Sequence, residues 1–329
     1  MTFRVDPKRI LLIRTDRLGE TLLNLPLVEQ LRKTFAHAQI LWMVNPALVG
    51  LLQGAPGVNR VLGYDGDPVS PWWRRAARLA HRLREERVDL AMISNSAKEF
   101  HVATWLAGIP VRVGYDRKWG FLLTHRLEDR RLLGERHEVE YNMQLLTALG
   151  MAVPASVVLR LPVSDCGEAE CIQLLQHLGV RQEDRLIVVH PWTSNPRKQW
   201  PLQRARELLE RLRPMGAGRV VVVGGPQERP HAEAFVCGME PDVVNVTGQL
   251  SLPALAAVLR RARVMVTNDS GPMHLAAAVG APVLALFGTE DPGSHPRRWG
   301  PWGDGHTVIH KPLEQIAVDD VLAAVQPYL

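Results

Sequence analysis

Val264-Met-Val-Thr-Asn-Asp-Ser-Gly-Pro-Met-His-Leu-Ala-Ala-Ala-Val-Gly-Ala-Pro-Val-Leu-Ala-Leu-Phe-Gly288 runs as strand, turn, helix and strand. Its apolar start, Val264 to Val266, suits a strand buried on both faces, and the turn formers Thr267 to Pro272 then break it. A helix follows, with Ser270 as the expected N-cap, Pro272 in the first turn where its missing N–H costs nothing, and Gly280 closing it before Pro282. Val283 to Phe287 is the next strand. A helix that starts on Ser-Gly offers backbone N–H groups and a positive dipole end, both suited to a phosphate, with Asp269 placed to take sugar hydroxyls. Taken alone, the segment is equally an ordinary strand–helix turn with a capping serine.

The surrounding chain supports a two-domain α/β protein. It has 329 residues, of which 46% are hydrophobic and 22% charged, a globular mixture with enough length for two cores. Cys166, Cys171 and Cys237 lack C-x-x-C spacing and are odd in number, which indicates neither a disulfide framework nor a zinc site and favours a reducing cytoplasm. No apolar run approaches the length of a membrane span, and Met1 to Arg9 lacks the features of an export signal. The expectation is a cytoplasmic protein. Of the 39 Lys+Arg and 34 Asp+Glu, residues 1–150 hold 22 and 16, so the basic excess lies in the first half and an anionic partner is expected there. Nucleic acid is disfavoured, since no helix-turn-helix, zinc-finger, RRM or KH pattern accompanies the charge.

Arg9 to Arg14 reads as a strand, Thr15-Asp-Arg-Leu-Gly-Glu-Thr21 as the loop after it, and Leu22 to Phe35 as a helix. With Gly19 as its single glycine, this loop is not a G-x-G-x-x-G dinucleotide fingerprint. Strands are expected at 39–44, 60–63 and 88–93. The helix from Pro71 to Glu86 carries Arg74, Arg78 and Arg82 on one stripe and Ala76, Leu79, Ala80 and Leu83 on another. Its basic side is either solvated or rests on anionic lipid headgroups. Arg112 to Arg136 adds a further strand and a mixture of cations and aromatics suited to a long amphiphilic anion. Asp65-Gly-Asp67 reads as a turn rather than a metal site. After a passage at 151–184, strands at 185–190, 219–223, 264–266 and 283–287 end in loops at 190–200, 224–228, 267–271 and 288–292. All four loops belong at the carboxyl edge of one parallel sheet, where α/β folds bind ligands.

Arg14-Thr-Asp-Arg-Leu-Gly-Glu20, His137-Glu-Val-Glu140, His190-Pro-Trp-Thr-Ser-Asn-Pro-Arg-Lys-Gln-Trp-Pro201, Val223-Gly-Gly225, Asn268-Asp-Ser-Gly-Pro-Met-His274, Phe287-Gly-Thr-Glu-Asp-Pro292 and Trp299-Gly-Pro301 together resemble glycosyltransferase family 9. These are the ADP-heptose:lipopolysaccharide heptosyltransferases, and the resemblance spans nearly the whole chain. It implies a GT-B fold of two Rossmann-like domains facing each other across a cleft. Residues 1–165 would hold the acceptor and 166–315 the nucleotide sugar, with a C-terminal helix in 316–329 packing back on the first domain. By the same resemblance Lys198 pairs with the donor diphosphate and Thr193 and Ser194 lie beside it. Ser270 and Gly271 form the phosphate turn, Asp269 lies near the sugar, Leu250 near the adenine, and Glu228 is the candidate ribose contact. His274 is either a donor contact or a packed structural histidine. Lys98, Arg112, Arg117 and Lys118 are the candidate acceptor contacts.

The chain departs from the family pattern at Glu20, where the family often has an aspartate that is its proposed general base. Glutamate keeps the chemistry but lengthens the reach, and Asp16 in the same loop is the alternative base. The acid at position 20 is otherwise explained by a helix amino terminus. The implied activity is inverting transfer of heptose from ADP-L-glycero-D-manno-heptose to the lipopolysaccharide inner core, without metal or cofactor, with peripheral contact at the inner membrane. Another glycan or protein acceptor, or a non-catalytic nucleotide-sugar-binding protein, remains the alternative.

Overall fold

The computed structural model describes residues 6–95, 97–215 and 218–329. Of the N-terminal reading, Met1 to Val5 lie outside the described residues. The chain divides into two compact units, Met1–Val158 and Leu159–Leu329.

The first unit is built on a parallel six-stranded sheet: β1 (Arg9–Ile13), β2 (Gln39–Val44), β3 (Arg60–Gly63), β4 (Leu90–Ile93), β5 (Val111–Asp116) and β6 (His125–Glu128). Its order is β3-β2-β1-β4-β5-β6. The chain leaves β1 in one direction, then returns to place β4 on its other side, which makes the β1/β4 boundary the switch point where such sheets open a crevice. Helix Trp72–Glu85 covers one face with the stripe read from the sequence, Ala76, Leu79, Ala80 and Leu83, packed with Leu11, Ile13, Met43 and Phe100.

Where one helix was expected from Leu22, the chain makes two, Leu18–Leu22 and Leu25–Thr34. Pro26 has no N–H to give to Leu22, so the ladder breaks there, and Asn24 turns its side-chain amide back to the Glu20 carbonyl at 2.8 Å. Glu20 is therefore helical rather than in the preceding loop.

The second unit repeats the plan with β7 (Leu186–His190), β8 (Arg219–Val222), β9 (Val243–Asn245), β10 (Ala262–Asn268), β11 (Val283–Phe287) and β12 (Thr307–His310). The order β12-β11-β10-β7-β8-β9 is again parallel and sets its switch point between β7 and β10. The four predicted loops follow β7, β8, β10 and β11, which are neighbours, and so share one sheet edge. The resemblance had placed the last helix against the first domain. Within the second unit, the buried side chains of Val318–Val325, namely Val318, Val321, Leu322 and Val325, belong to that unit's core. Their apolar stripe packs with Leu208 and Leu212 of helix Leu202–Leu212, and Arg211–Asp319 (2.5 Å) and Lys311–Asp320 (2.6 Å) pair at its amino end.

Candidate functional site

At the β7/β10 switch point four side chains organise the edge. Asn268, buried at the end of β10, accepts from the Trp200 N–H at 2.9 Å and donates to the Pro191 carbonyl at 2.9 Å. It therefore ties both ends of the 191–200 loop to the neighbouring strand. Thr267 Oγ1, Ser270 Oγ and His190 Nδ1 form a triangle with sides of 3.0 to 3.3 Å. Burial lowers the His190 pKa to about 4, so the ring is neutral at physiological pH. Ser270 is the N-cap residue of helix Gly271–Ala278, as expected, but its side chain does not cap. Its hydroxyl is engaged by Thr267 and His190, leaving the amino end of helix Gly271–Ala278 without a side-chain cap. The Ser270 hydroxyl therefore does not compete with an approaching anion for the helix N–H groups.

Lys198 stands at this edge on the short 3₁₀ turn Pro196–Lys198, which Asn195 starts by accepting the Arg197 N–H at 3.1 Å. Its ammonium rests on the Asp269 carboxylate. The structure thus joins the expected diphosphate cation, the expected sugar-side acid and the helix amino end. Thr193 is half-buried and accepts the Asn195 N–H at 3.3 Å, and Ser194 is exposed beside it. On the adjoining β8 loop a Cβ on Gly224 would stand 2.6 Å from the Trp192 ring, and one on Gly225 would stand 2.9 Å from a Glu228 carboxylate oxygen. At Gly224 the buried Trp192 ring leaves room for glycine alone, whereas at Gly225 the Glu228 side chain could move aside. Glu228 and Leu250 are half-buried, Leu250 just before the Ser251-capped helix Leu252–Arg260.

The opposite class of chemistry, a proton acceptor, is found in the first unit. Asp16 accepts the Arg14 Nε–H at 2.7 Å, a charge-assisted bond that fixes its carboxylate beside the end of β1. Glu20 is set differently. Burial of its carboxyl raises its pKa, and the negative charge of Asp16 adds to this. A backbone hydrogen bond and the charges of Arg14 and Arg17 only partly offset the rise. A raised pKa makes the ionised Glu20 carboxylate a stronger proton acceptor than an ordinary carboxylate, as general base catalysis requires.

The sequence pattern of glycosyltransferase family 9 (heptosyltransferase) matches residues 76–323. The chain belongs to glycosyltransferase family 9. It is a glycosyltransferase by that membership. Lipopolysaccharide heptosyltransferase 2 of Escherichia coli K12 is 27% identical over 300 residues, covering 86% of this chain and 84% of that protein. The glycosyl transferase family 9 structure from Veillonella parvula superposes with a TM-score of 0.88 at 23% identity, covering 100% of this chain and 98% of that one. The Escherichia coli heptosyltransferase WaaC solved with ADP gives a TM-score of 0.77 at 21% identity, covering 98% of this chain and 100% of that one. The two Rossmann-like units are those of the GT-B fold.

In this glycosyltransferase the four cations expected at the acceptor do not share one place. Lys98 and Lys118 line a cavity of about 570 Å³ with Trp72, Arg75, Ala97, Glu99 and Trp119, the Lys98 ammonium lying 4.2 Å from the Trp72 ring centroid. Arg112 is absent from that lining, because its guanidinium is committed to the carbonyls of Leu122 (2.9 Å) and Ile109 within the fold. Arg117 is half-exposed, 3.8 Å from Asp129. His274 is 3% exposed and meets Trp299 edge to face.

Asp65-Gly-Asp67 lies in irregular backbone just before the turn at Pro68 and Val69, Gly66 having φ of 72°. Asp67 is held at a pKa of about 2 by the Ser70 hydroxyl and then Arg78. Among the described residues Glu290, His295 and His310 bring potential metal ligands within 4.8 Å of one another. His295 Nδ1 accepts the Arg297 N–H at 3.0 Å, and His310 Nε2 lies 2.8 Å from the Thr289 carbonyl.

Sequence reasoning assigned no role to Asn268 or His190. The available signal was a polar residue closing an otherwise apolar buried strand, at the edge where ligands bind.

Proposed function

We propose that this glycosyltransferase transfers heptose from ADP-L-glycero-D-manno-heptose to a sugar hydroxyl of the lipopolysaccharide inner core, with inversion, on the cytoplasmic side of the inner membrane. The observation that carries the donor half is the Lys198–Asp269 pair at the uncapped amino end of helix Gly271–Ala278. A diphosphate replaces or shares the carboxylate as the partner of Lys198, while the helix end meets its oxygens. Glu20 takes the proton of the acceptor hydroxyl, whose oxygen attacks the anomeric carbon from the face opposite ADP. The bond to the β-phosphate oxygen breaks and its electron pair leaves with ADP. Lys198 and the helix amides stabilise that growing charge more strongly in the transition state than before it. In this scheme protein cations and amides meet the charge of the leaving group, without a metal ion. Thr193, Ser194, Glu228 and Leu250 complete the donor contacts, and Lys98, Lys118 and the Trp72–Trp119 cavity take an anionic sugar of the acceptor.

Among the described residues no helix is long and apolar enough to cross a membrane. Peripheral contact is supported by exposed Trp73 and Phe121 beside the exposed cations Arg74 and Lys118, aromatic and basic groups of the kind found at lipid surfaces. The deciding experiment incubates the purified protein with ADP-heptose, and separately with other nucleotide sugars, in the presence of defined core acceptors. Release of ADP coupled to a heptosylated acceptor is expected. Transfer only to another glycan or to a protein would replace the acceptor. Binding without turnover on any acceptor would leave a nucleotide-sugar-binding protein.

A further inference from the structure

Behind the loop that leads into Glu20 runs a buried chain of charges. Arg14, just past β1, donates from Nη1 to the Ser94 carbonyl and hydroxyl, each at 3.1 Å, and to Glu138 at 3.4 Å, while its Nε holds Asp16. Ser94, just past β4, passes its hydroxyl proton toward Asn142 at 2.9 Å, and its carbonyl also accepts from Arg131 at 3.2 Å. Arg131 in turn grips Asp129 through two nitrogens at 2.8 and 2.9 Å. Glu138 is 1% exposed at the start of helix Glu138–Gln144, which His137 and Glu140 cap reciprocally. These groups meet at the β1/β4 switch point of the first sheet, although Glu138 is 124 positions along the chain from Arg14.

Folding alone does not account for such a network. Buried ion pairs are commonly replaceable by apolar residues at little cost in stability, because desolvating the charges offsets their attraction. What this one does is fix the direction of a guanidinium whose Nε donates to Asp16. We propose that Glu138 is a positioning residue for glycosyl transfer: by holding Arg14 it sets Asp16 and the 15–20 segment that presents Glu20 to the acceptor hydroxyl. The proposal rests on Glu20 being the base.

Its consequences have a sign. The charged groups acting on Glu20 are Asp16, Arg14 and Arg17, Asp16 favouring the protonated form and the two arginines the ionised one. Neutralising Glu138 leaves Arg14 less compensated, so Glu20 gives up its proton more easily. In Glu138→Gln the acid limb of kcat against pH therefore moves to lower pH, while loosened geometry lowers kcat by about 10- to 100-fold. The donor contacts belong to the other unit, so KM for ADP-heptose stays within about 2-fold. An unmoved limb would mean a merely structural residue, and wild-type kcat would mean none of this, either result overturning the proposal.

If Glu138→Gln does not fold, Arg14→Lys is measured instead. It keeps the charge but cannot hold Asp16, Ser94 and Glu138 together, so kcat falls at least 10-fold with the limb unmoved. Wild-type turnover in that variant overturns the proposal. Glu20→Gln, run alongside, separates the two readings. A fully active Glu20→Gln removes the base and the proposal with it. An inactive Glu20→Gln beside an unaffected Glu138→Gln keeps the base and removes Glu138.

Discussion

Lys198→Ala tests the donor site by separating its effect on the fold from its effect on the reaction. The ammonium and the Asp269 carboxylate it rests on retain 28% and 11% of their side-chain exposure, so this is a partly solvated pair. Such pairs contribute up to about 1 kcal/mol, and their loss lowers the melting temperature of a unit of this size by about 2–4 °C. In the reaction the same ammonium meets charge that grows as ADP departs, where loss of one such group costs about 2.7 kcal/mol, or roughly 100-fold in kcat. The substitution also leaves the Asp269 charge without its Lys198 partner, facing an incoming diphosphate. Adding Asp269→Asn should therefore return part of the donor affinity lost in Lys198→Ala but none of the kcat. Steady-state kinetics with ADP-heptose and a core acceptor, together with thermal melts of the wild type and the two variants, measure both quantities. A rise in KM with kcat intact would make Lys198 a uniform binding contact. A melting loss beyond about 10 °C would make it a structural residue.

Glu20→Gln should lower kcat by about 10²- to 10⁴-fold with ADP affinity nearly unchanged, and Glu20→Asp should keep activity; a mild Glu20→Gln beside a damaging Asp16→Asn would move the base to Asp16. Because the Glu20 pKa is raised and the base acts deprotonated, wild-type kcat should climb with pH through a limb above the ordinary carboxylate range, a limb that pH–rate profiles of Glu20→Gln should lack. ADP should raise the melting temperature, and Asp269 or Ser270 substitutions should diminish the shift; equal stabilisation by UDP or GDP would count against an adenine pocket near Leu250. His101 is 1% exposed with neither ring nitrogen hydrogen-bonded, and burial with the nearby Lys118 charge lowers its pKa to about 4. The unfolded chain takes up that proton below about 6.5 while the folded one does not, so stability falls as pH drops from about 6.5 toward 4. His101→Leu should flatten the acid slope in melts compared at pH 5 and 7, without loss at pH 7; an unchanged slope would refute this.

Period and turn chemistry along the chain determined the two parallel sheets, because apolar runs followed by Gly, Pro, Ser and Asp breaks are local signals that tertiary packing rarely overrides. Strand Val283–Phe287 and the stripe Ala76, Leu79, Ala80 and Leu83 came from the sequence as they stand in the fold. The short strands Val243–Asn245 and Thr307–His310 did not, since strands of three and four residues at a sheet border carry too little pattern. The loops bearing Lys198, Asp269 and Ser270 could be assigned to one edge because parallel strands place all their carboxyl ends together. The partners of their side chains could not. Ser270 turns from the helix to His190 because β7 and β10 lie side by side, a proximity across 80 residues of chain. Arg112 is taken by nearby carbonyls, and Arg14 reaches Glu138 through the packing of a distant helix. Burial likewise raised the pKa of the Glu20 carboxyl, and burial belongs to the assembled structure rather than to any segment of it.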